Sequence, residues 1–511
     1  MRHKIADFRV LQWGEILQNR EVATLNTTPD NPLTRRDFVK TAGAVTAVAA
    51  AIGAPAIQKV RAANDRVQYG IIGTGSRGTY LMKHLKDIDA GQCVAICDIQ
   101  PDHLKNGLTT IGGSPKTFSN YHDLLALQEV EAVFVVTPLF THYPITHDVI
   151  EAGKHVFCEK CLVFKPNEVH ALRADVAAHP NKILQTGLQR RYSSFYKTVK
   201  QMVDKGILGD VHHIHTQWHR NMINKPSSLW TMKPDGEKNI NNWRVFRSMS
   251  GGLAAELTSH QVDVSDWMFG STPEFVMGLG SLDTLKDGRD IYDNVSLIYN
   301  YPGGKKMTNS AISTNSFCPY FNGQRAEMGE IIMGTDGTVE ITVGDGPNTY
   351  TPRGNPCIAW WYQEPPKTVE VSDAKKKATP FVAGATMVAS GGNVRPVPIM
   401  TSDLDFNKDE SFFGREGKFA RRWLTSKGIL VQEEEDNPVD VELESFFKNC
   451  RDGKMPLANL EIGMNDAVAV MLSNLSMDEG RKVYFNEIEK MGLETQKNLT
   501  QAPKPAPHVG G

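Results

Sequence analysis

Arg66-Val67-Gln68-Tyr69-Gly70-Ile71-Ile72 is an apolar run that leads without a break into Gly73-Thr74-Gly75-Ser76-Arg77-Gly78 and a helix-like segment reaching Lys86. A strand that turns on glycines into a helix admits few folds. The first glycine permits the tight turn, the second lets backbone approach a pyrophosphate, and the third lets helix and strand pack closely. Ser76 and Arg77 then sit at the helix N-terminus, where an anion is stabilised. Alone the pattern is weak, but the next strand, Gln92 to Cys97, ends in Asp98, twenty residues past Gly78. A carboxylate there accepts hydrogen bonds from an adenosine ribose and repels a 2′-phosphate, so NAD is expected over NADP. Gly73, Gly75, Ser76, Arg77, Gly78 and Asp98 are the first cofactor-binding candidates.

A third apolar strand, Ala132 to Val136, runs into Thr137-Pro138-Leu139-Phe140-Thr141-His142, and after a helix comes Lys154-His155-Val156-Phe157-Cys158-Glu159-Lys160. Alternating strands and helices predict a parallel sheet with its ligand at the C-terminal strand ends, which adds Thr137, Pro138, His142 and Glu159 to the cofactor set. The formal net charge of −2 provides no field for nucleic acid or an anionic membrane, and 40% hydrophobic residues can bury a sizeable core.

The glycine turn, Asp98, T-P-x-x-x-H at 137–142 and A-G-K-H-V-x-x-E-K at 152–160 together resemble the glucose-fructose oxidoreductase / inositol dehydrogenase (Gfo/Idh/MocA) family. The resemblance implies an α/β chain, with an N-terminal Rossmann dinucleotide-binding domain and a C-terminal α/β domain built on a large, open, mostly antiparallel sheet. It makes Lys160 a catalytic residue, although the chain reads Glu159-Lys160-Cys161 where the family has proline third. Gly251-Gly252-Leu253-Ala254-Ala255-Glu256-Leu257-Thr258-Ser259-His260-Gln261-Val262-Asp263 resembles the family's catalytic helix with Glu256 replacing an aspartate. That makes His260 the second catalytic candidate, and Glu256 a third that orients it from one helical face. Arg190, His219, Trp243 and Arg244 are substrate-binding candidates.

His213, His215, Gln217 and His219 share one strand face, but neighbours there stand about 7 Å apart, too far for one ion, and no metal is expected. The cysteine pairs Cys93/Cys97 and Cys158/Cys161 read as small buried hydrophobes. Gly278-Leu279-Gly280 reads as a turn.

Thr34-Arg35-Arg36-Asp37-Phe38-Val39-Lys40, the Ala/Gly/Val stretch from Thr41 to Ile57 and Val60-Arg61-Ala62 resemble a twin-arginine export leader. The apolar stretch falls short of the roughly 20 residues of a membrane span, so no stable anchor is expected. The expected organisation is a signal segment at 1–63, a Rossmann domain at 64–188, a substrate and oligomerisation domain at 189–490 and a disordered tail at 491–511. Helices are expected from Val439 to Cys450 and Glu461 to Met477, and over 320–435 strand signals such as Gly337 to Thr342 amid peripheral loops with subunit contacts. The functional expectation is an exported, periplasmic NAD(P)-dependent oxidoreductase acting on a secondary hydroxyl of a sugar or glycoside. Its partners would be a carbohydrate substrate, the twin-arginine translocase and further copies of itself, as dimer or tetramer. An NAD-dependent glycosidase working by transient oxidation and a catalytically idle sugar-binding relative are the alternatives.

Overall fold

The structure, a computed structural model, describes residues 65–223, 230–233, 236–315, 328–343, 358–363, 397–401, 408, 411–432 and 436–501. The expected leader, the Lys375-Lys376-Lys377 run and the acidic run at 433–435 lie outside these residues.

Six strands form the first sheet: β1 (Val67–Ile72), β2 (Gly91–Cys97), β3 (Lys116–Phe118), β4 (Ala132–Val135), β5 (His155–Glu159) and β6 (Leu184–Gly187). Their order is β3-β2-β1-β4-β5-β6 and every pairing is parallel. Helices cover both faces, which is why β4 is buried along its whole length and reads as a continuous apolar run. One covering helix comes from far along the chain. Pro438–Asp452 starts on Asn437, whose side chain accepts from Val439 N–H, and stops at Gly453 in the left-handed region. It brings Phe446 and Phe447 against Phe134, with ring centroids 5.2 and 5.7 Å away, and Phe447 also meets Tyr69 at 5.2 Å. The Rossmann layer is therefore completed by residues from the span 189–490, and the two expected domains are not separate blocks of sequence.

The second sheet has nine strands: β7 (Val211–His219), β8 (Phe275–Ser281), β9 (Asn294–Asn300), β10 (Lys306–Ile312), β11 (Met328–Gly334), β12 (Gly337–Val343), β13 (Ile358–Gln363), β14 (Val397–Thr401) and β15 (Val483–Tyr484). The order is β14-β13-β12-β11-β7-β10-β9-β8-β15, antiparallel except where β7 meets β10. Gly278-Leu279-Gly280 lies inside β8, opposite Leu297, Ser296 and Val295, and is not a turn. The helix Leu460–Glu479 crosses closely there: a Cβ on Gly280 would stand 2.2 Å from the Tyr292 ring and 2.8 Å from the Met477 sulfur. The same helix reaches the first sheet, where a Cβ on Gly463 would meet Thr186 Oγ1 at 2.2 Å.

The expected disordered tail is corrected in part, because a helix runs from Phe485 to Gln501. It packs on the helix Pro166–Ala178, with Ile488 buried, His170 Nε2 at 2.9 Å from the Glu489 carbonyl and Arg173 paired to Glu489. Polar composition concealed this single apolar contact line. Among the described residues no helix is long and apolar enough to cross a membrane.

Candidate active site

The turn after β1 has the steric character its glycines predict. Gly73 has φ +96°, and a Cβ there would lie 2.4 Å from the Val136 carbonyl oxygen; one on Gly78 would lie 2.0 Å from the Gly73 oxygen. A Cβ on Gly75 would meet only the His103 ring, at 3.7 Å, so its space opens into the cleft. As N-cap of the helix Ser76–Leu85, Gly75 has no side chain to occupy the first-turn N–H groups. Asp98 at the end of β2 accepts from Thr74 N–H and Gln100 N–H, both at 2.8 Å, which aims its carboxylate along the cleft. An open helix N-terminus beside a fixed carboxylate fits the pyrophosphate and ribose of a dinucleotide.

The cleft measures about 3130 Å³, well above the roughly 300–1,000 Å³ of a small-ligand site, and runs from this turn to the second sheet. Thr137, Pro138, Glu159, Lys160, Arg190, Trp243, Arg244, Glu256 and His260 all line it. Several have other duties than those expected. Glu159 bonds Arg77 Nε at 2.6 Å, so these two hold one another across the cofactor end. His142 is buried with its ring nitrogens 2.7 Å from the Cys161 carbonyl and 2.9 Å from the Thr137 carbonyl. It lines the cleft as well and ties two of its loops together.

Lys160 directly follows β5, and its Nζ donates to the carbonyls of Ala255 at 2.7 Å and Glu256 at 3.0 Å. The Lys160–Cys161 peptide is cis, and the amine reaches the cleft without the family's proline. Its acceptors belong to a π-helical turn, Ala254–Thr258, that precedes the helix Ser259–Phe269. In an α-helix Ser259 N–H would bond the Ala255 carbonyl. Here it bonds Ala254, so the Ala255 oxygen can take Lys160. Such turns recur at functional sites.

The same turn breaks the single helical face expected for Glu256, His260 and Asp263. The Glu256 carboxylate lies 3.5 Å from Arg244 Nε instead of engaging His260. Asp263 is buried against Arg191 Nε at 2.7 Å. His260 is 7% exposed, its Nδ1 has no hydrogen-bond partner among the described residues, and its ring centroid lies 5.8 Å from that of Trp218. Burial, and after it the charges of Lys160, Arg190 and Arg77, hold its pKa well below the usual imidazole range. The ring is therefore neutral, a proton acceptor surrounded by cations.

Arg190 lines the cleft but is ion-paired to buried Glu330, which also accepts from Tyr196 Oη at 2.7 Å. His219 is not at the cleft: its Nε2 lies 2.8 Å from Ser310 Oγ. The cleft-facing residues at this end of β7 are Trp218 and Arg220, and Trp230 joins them from the following segment. Both tryptophans escaped the sequence reading, which followed the alternating histidines of β7 and so the opposite face. His215, in that histidine row, bonds Thr308 Oγ1 at 2.8 Å. Cys158 and Cys161 are buried, and burial pushes the Cys158 thiol up to about 12.

Comparison with known proteins gives two adjoining matches. Residues 67–188 match a profile described as the oxidoreductase family, NAD-binding Rossmann fold, and residues 200–358 match the C-terminal alpha/beta domain of the same family. Myo-inositol 2-dehydrogenase of Thermotoga maritima is 29% identical over 221 residues, 42% of this chain and 59% of that protein. Inositol 2-dehydrogenase of Gluconacetobacter diazotrophicus is 33% identical over 200 residues, 39% of this chain and 53% of that protein. The chain thus spans about half the length of the curated relatives it matches. Aldose-aldose oxidoreductase from Caulobacter crescentus, solved with glycerol, superposes with TM-score 0.57 at 17% identity over 82% of this chain and 99% of that one. Levoglucosan dehydrogenase in complex with NADH and levoglucosan gives 0.58 at 16% identity, with the same coverage of each chain. These two share the fold.

Proposed function

The chain belongs to the Gfo/Idh/MocA oxidoreductase family, and from that premise we propose that it is an NAD-dependent dehydrogenase of a secondary hydroxyl on a sugar or glycoside. One observation carries the reading: Lys160 and His260 line the same cleft as the Gly73–Gly78 turn and Asp98. Relatives named as inositol dehydrogenases, and a fold neighbour solved with NADH and levoglucosan, support a polyhydroxylated ring as substrate.

The helix N-terminus at Ser76, opened by Gly75, would hold the pyrophosphate, and Asp98 the adenosine ribose. A bound nicotinamide supplies the hydride acceptor. Two of the ammonium donors of Lys160 are taken by carbonyls, which fixes its position and leaves a third for the reacting hydroxyl oxygen. As hydride leaves the carbon, the hydroxyl proton needs a base. Neutral His260 receives it, and the Lys160 charge stabilises the oxygen meanwhile. Glu256 shares its charge with Arg244 and keeps its carbonyl on Lys160, so it positions the lysine.

Lys160→Ala and His260→Ala are expected to retain NAD binding and to lower turnover by about 10²–10⁴, the usual worth of a positioned acid or base. Turnover and cofactor occupancy measured on the same samples separate lost chemistry from lost binding. Near wild-type NADH formation by Lys160→Ala at full occupancy would remove the lysine from the mechanism. Glycoside cleavage without net NADH would favour the transient-oxidation alternative.

Export by the twin-arginine route is part of the proposal, supported by Thr34 to Lys40 and the small residues that follow. Replacing Arg35 and Arg36 together by lysine should retain the protein in the cytoplasm in a fractionation blot; unchanged delivery would sink this part.

A further inference from the structure

We propose that the sugar substrate carries an oxyanion, a carboxylate, sulfate or phosphate, which Arg220 and Arg244 bind against a wall of tryptophans. The inference rests on the dehydrogenase reading of the cleft and names the chemical class that its second-domain wall selects.

Arginine and indole alternate along that wall. Arg220 Cζ lies 5.0 Å from the Trp218 ring centroid and 5.7 Å from that of Trp230. Arg244 Cζ lies 5.8 Å from Trp230 and 4.4 Å from Trp243, and Arg190 Cζ lies 5.5 Å from Trp218. Trp218 and Trp230 are thus each approached by two guanidinium groups, and all six residues line the cleft. A guanidinium held over an aromatic face has its plane fixed and its N–H fork directed along that plane, the geometry that receives a carboxylate, sulfate or phosphate. Indole faces alone would suit a neutral sugar ring; the interleaved arginines add what a neutral ring does not use.

Basic residues are concentrated beside the tryptophans. Among the described residues, Arg190, Arg220, Lys233 and Arg244 line the cleft there with Glu256, and Glu330 behind neutralises Arg190; the lining's other acids are Asp87, Asp98, Glu159 and Asp436. Arg244 Nε is buried without a hydrogen bond, its Glu256 contact being 3.5 Å long. The Arg244 side chain is 21% exposed, and a guanidinium whose carboxylate contact is this long can turn its remaining N–H groups to an anion in the cleft it lines. Position agrees with this role. Lys160 touches Glu256 at its carbonyl and Arg244 approaches Glu256 at its carboxylate, so the anion would lie one residue's span from the reacting hydroxyl, the reach of a single sugar ring.

The tryptophans provide a readout independent of turnover. The NAD-loaded protein is titrated with methyl glucoside, methyl glucuronide, glucose 6-sulfate and glucose 6-phosphate, following tryptophan fluorescence for binding and absorbance for NADH. At least one anionic sugar should bind about tenfold or more tightly than methyl glucoside and weaken as salt rises, and the tightest of the three identifies the oxyanion. Arg220→Gln and Arg244→Gln should each weaken that sugar by about 10- to 100-fold, a loss at least about fivefold larger than the one for methyl glucoside, with NAD affinity within about twofold. Equal or tighter binding of methyl glucoside, equal losses for charged and neutral sugars, or binding of none of the four overturns the proposal. The two readings fail separately. Arginine-dependent anion binding without NADH formation sinks the dehydrogenase; NADH formed from the neutral sugar without preference sinks the oxyanion site.

Discussion

Asp98 is the residue on which the proposed preference for NAD over NADP rests, through both charge and geometry. Thr74 and Gln100 donate to it from the backbone, and His103 Nδ1 stands 3.6 Å from its Oδ2. A carboxylate so held repels a 2′-phosphate whatever else contacts the adenosine. Asp98→Asn keeps an acceptor for one backbone donor and removes the charge; it should lower the preference for NAD over NADP by roughly tenfold, while Asp98→Ala should also weaken NAD itself by releasing the turn. Titration of both dinucleotides against wild type and the two variants checks this. Tighter NADP than NAD in the wild type would overturn the assignment. His142 adds a different kind of contact: it lines the cleft at a strand end, and its ring nitrogens meet the carbonyls of Thr137 and Cys161, a link between loops that no linear spacing reveals.

At the scale of elements, the sequence was legible wherever a local rule decides. The glycine turn, β1, β4 and β5 follow from sterics and continuous apolar runs, and Lys160 falls at a strand end as the pattern requires. Legibility stopped where a neighbour decides. The period expected for Glu256, His260 and Asp263 is that of an α-helix, but the π turn at Ala254–Thr258 rotates Glu256 toward Arg244 and leaves Asp263 with Arg191. Gly278 and Gly280 look like a turn, but their missing side chains make room for Leu297, Tyr292 and Met477. On β7 the alternating histidines drew attention to one face, while Trp218, the cleft-facing residue, lay on the other. The helix Pro438–Asp452 was visible as a helix, yet nothing local says that its phenylalanines complete a core begun near Val67.

Across the whole molecule, the helices joining the two sheets carry carboxylic acids in their buried faces. Asp466, on the helix Leu460–Glu479, is 1% exposed, with the Cys161 thiol as its close polar neighbour. Burial, reinforced by Asp263, raises its pKa well above the ordinary carboxyl value. Asp263, Asp266 and Glu442 are raised as well, each first by burial. The sign of the linkage follows. Below the unfolded pKa of about 3.9 both states hold the proton and Asp466 adds no cost. As pH rises past that value the unfolded chain releases its proton and the folded chain keeps it, so folding becomes less favourable until pH reaches the raised, folded-state pKa. An amide never titrates, so Asp466→Asn should be stabilising by an amount that is small near pH 4.5 and grows toward pH 8. The gain is about 1.4 kcal/mol for each unit by which the pKa is raised. His142, His155, His215 and His260, lowered by burial, act the other way: they penalise the folded state below about 6.5, where the unfolded rings charge. That penalty is common to wild type and variant and cancels in their difference. Thermal melts of both proteins from pH 4.5 to 8 give that difference directly. One that stays constant with pH, or a variant less stable throughout, would show that Asp466 is ionised in the fold and balanced by Lys160 or Arg191 instead.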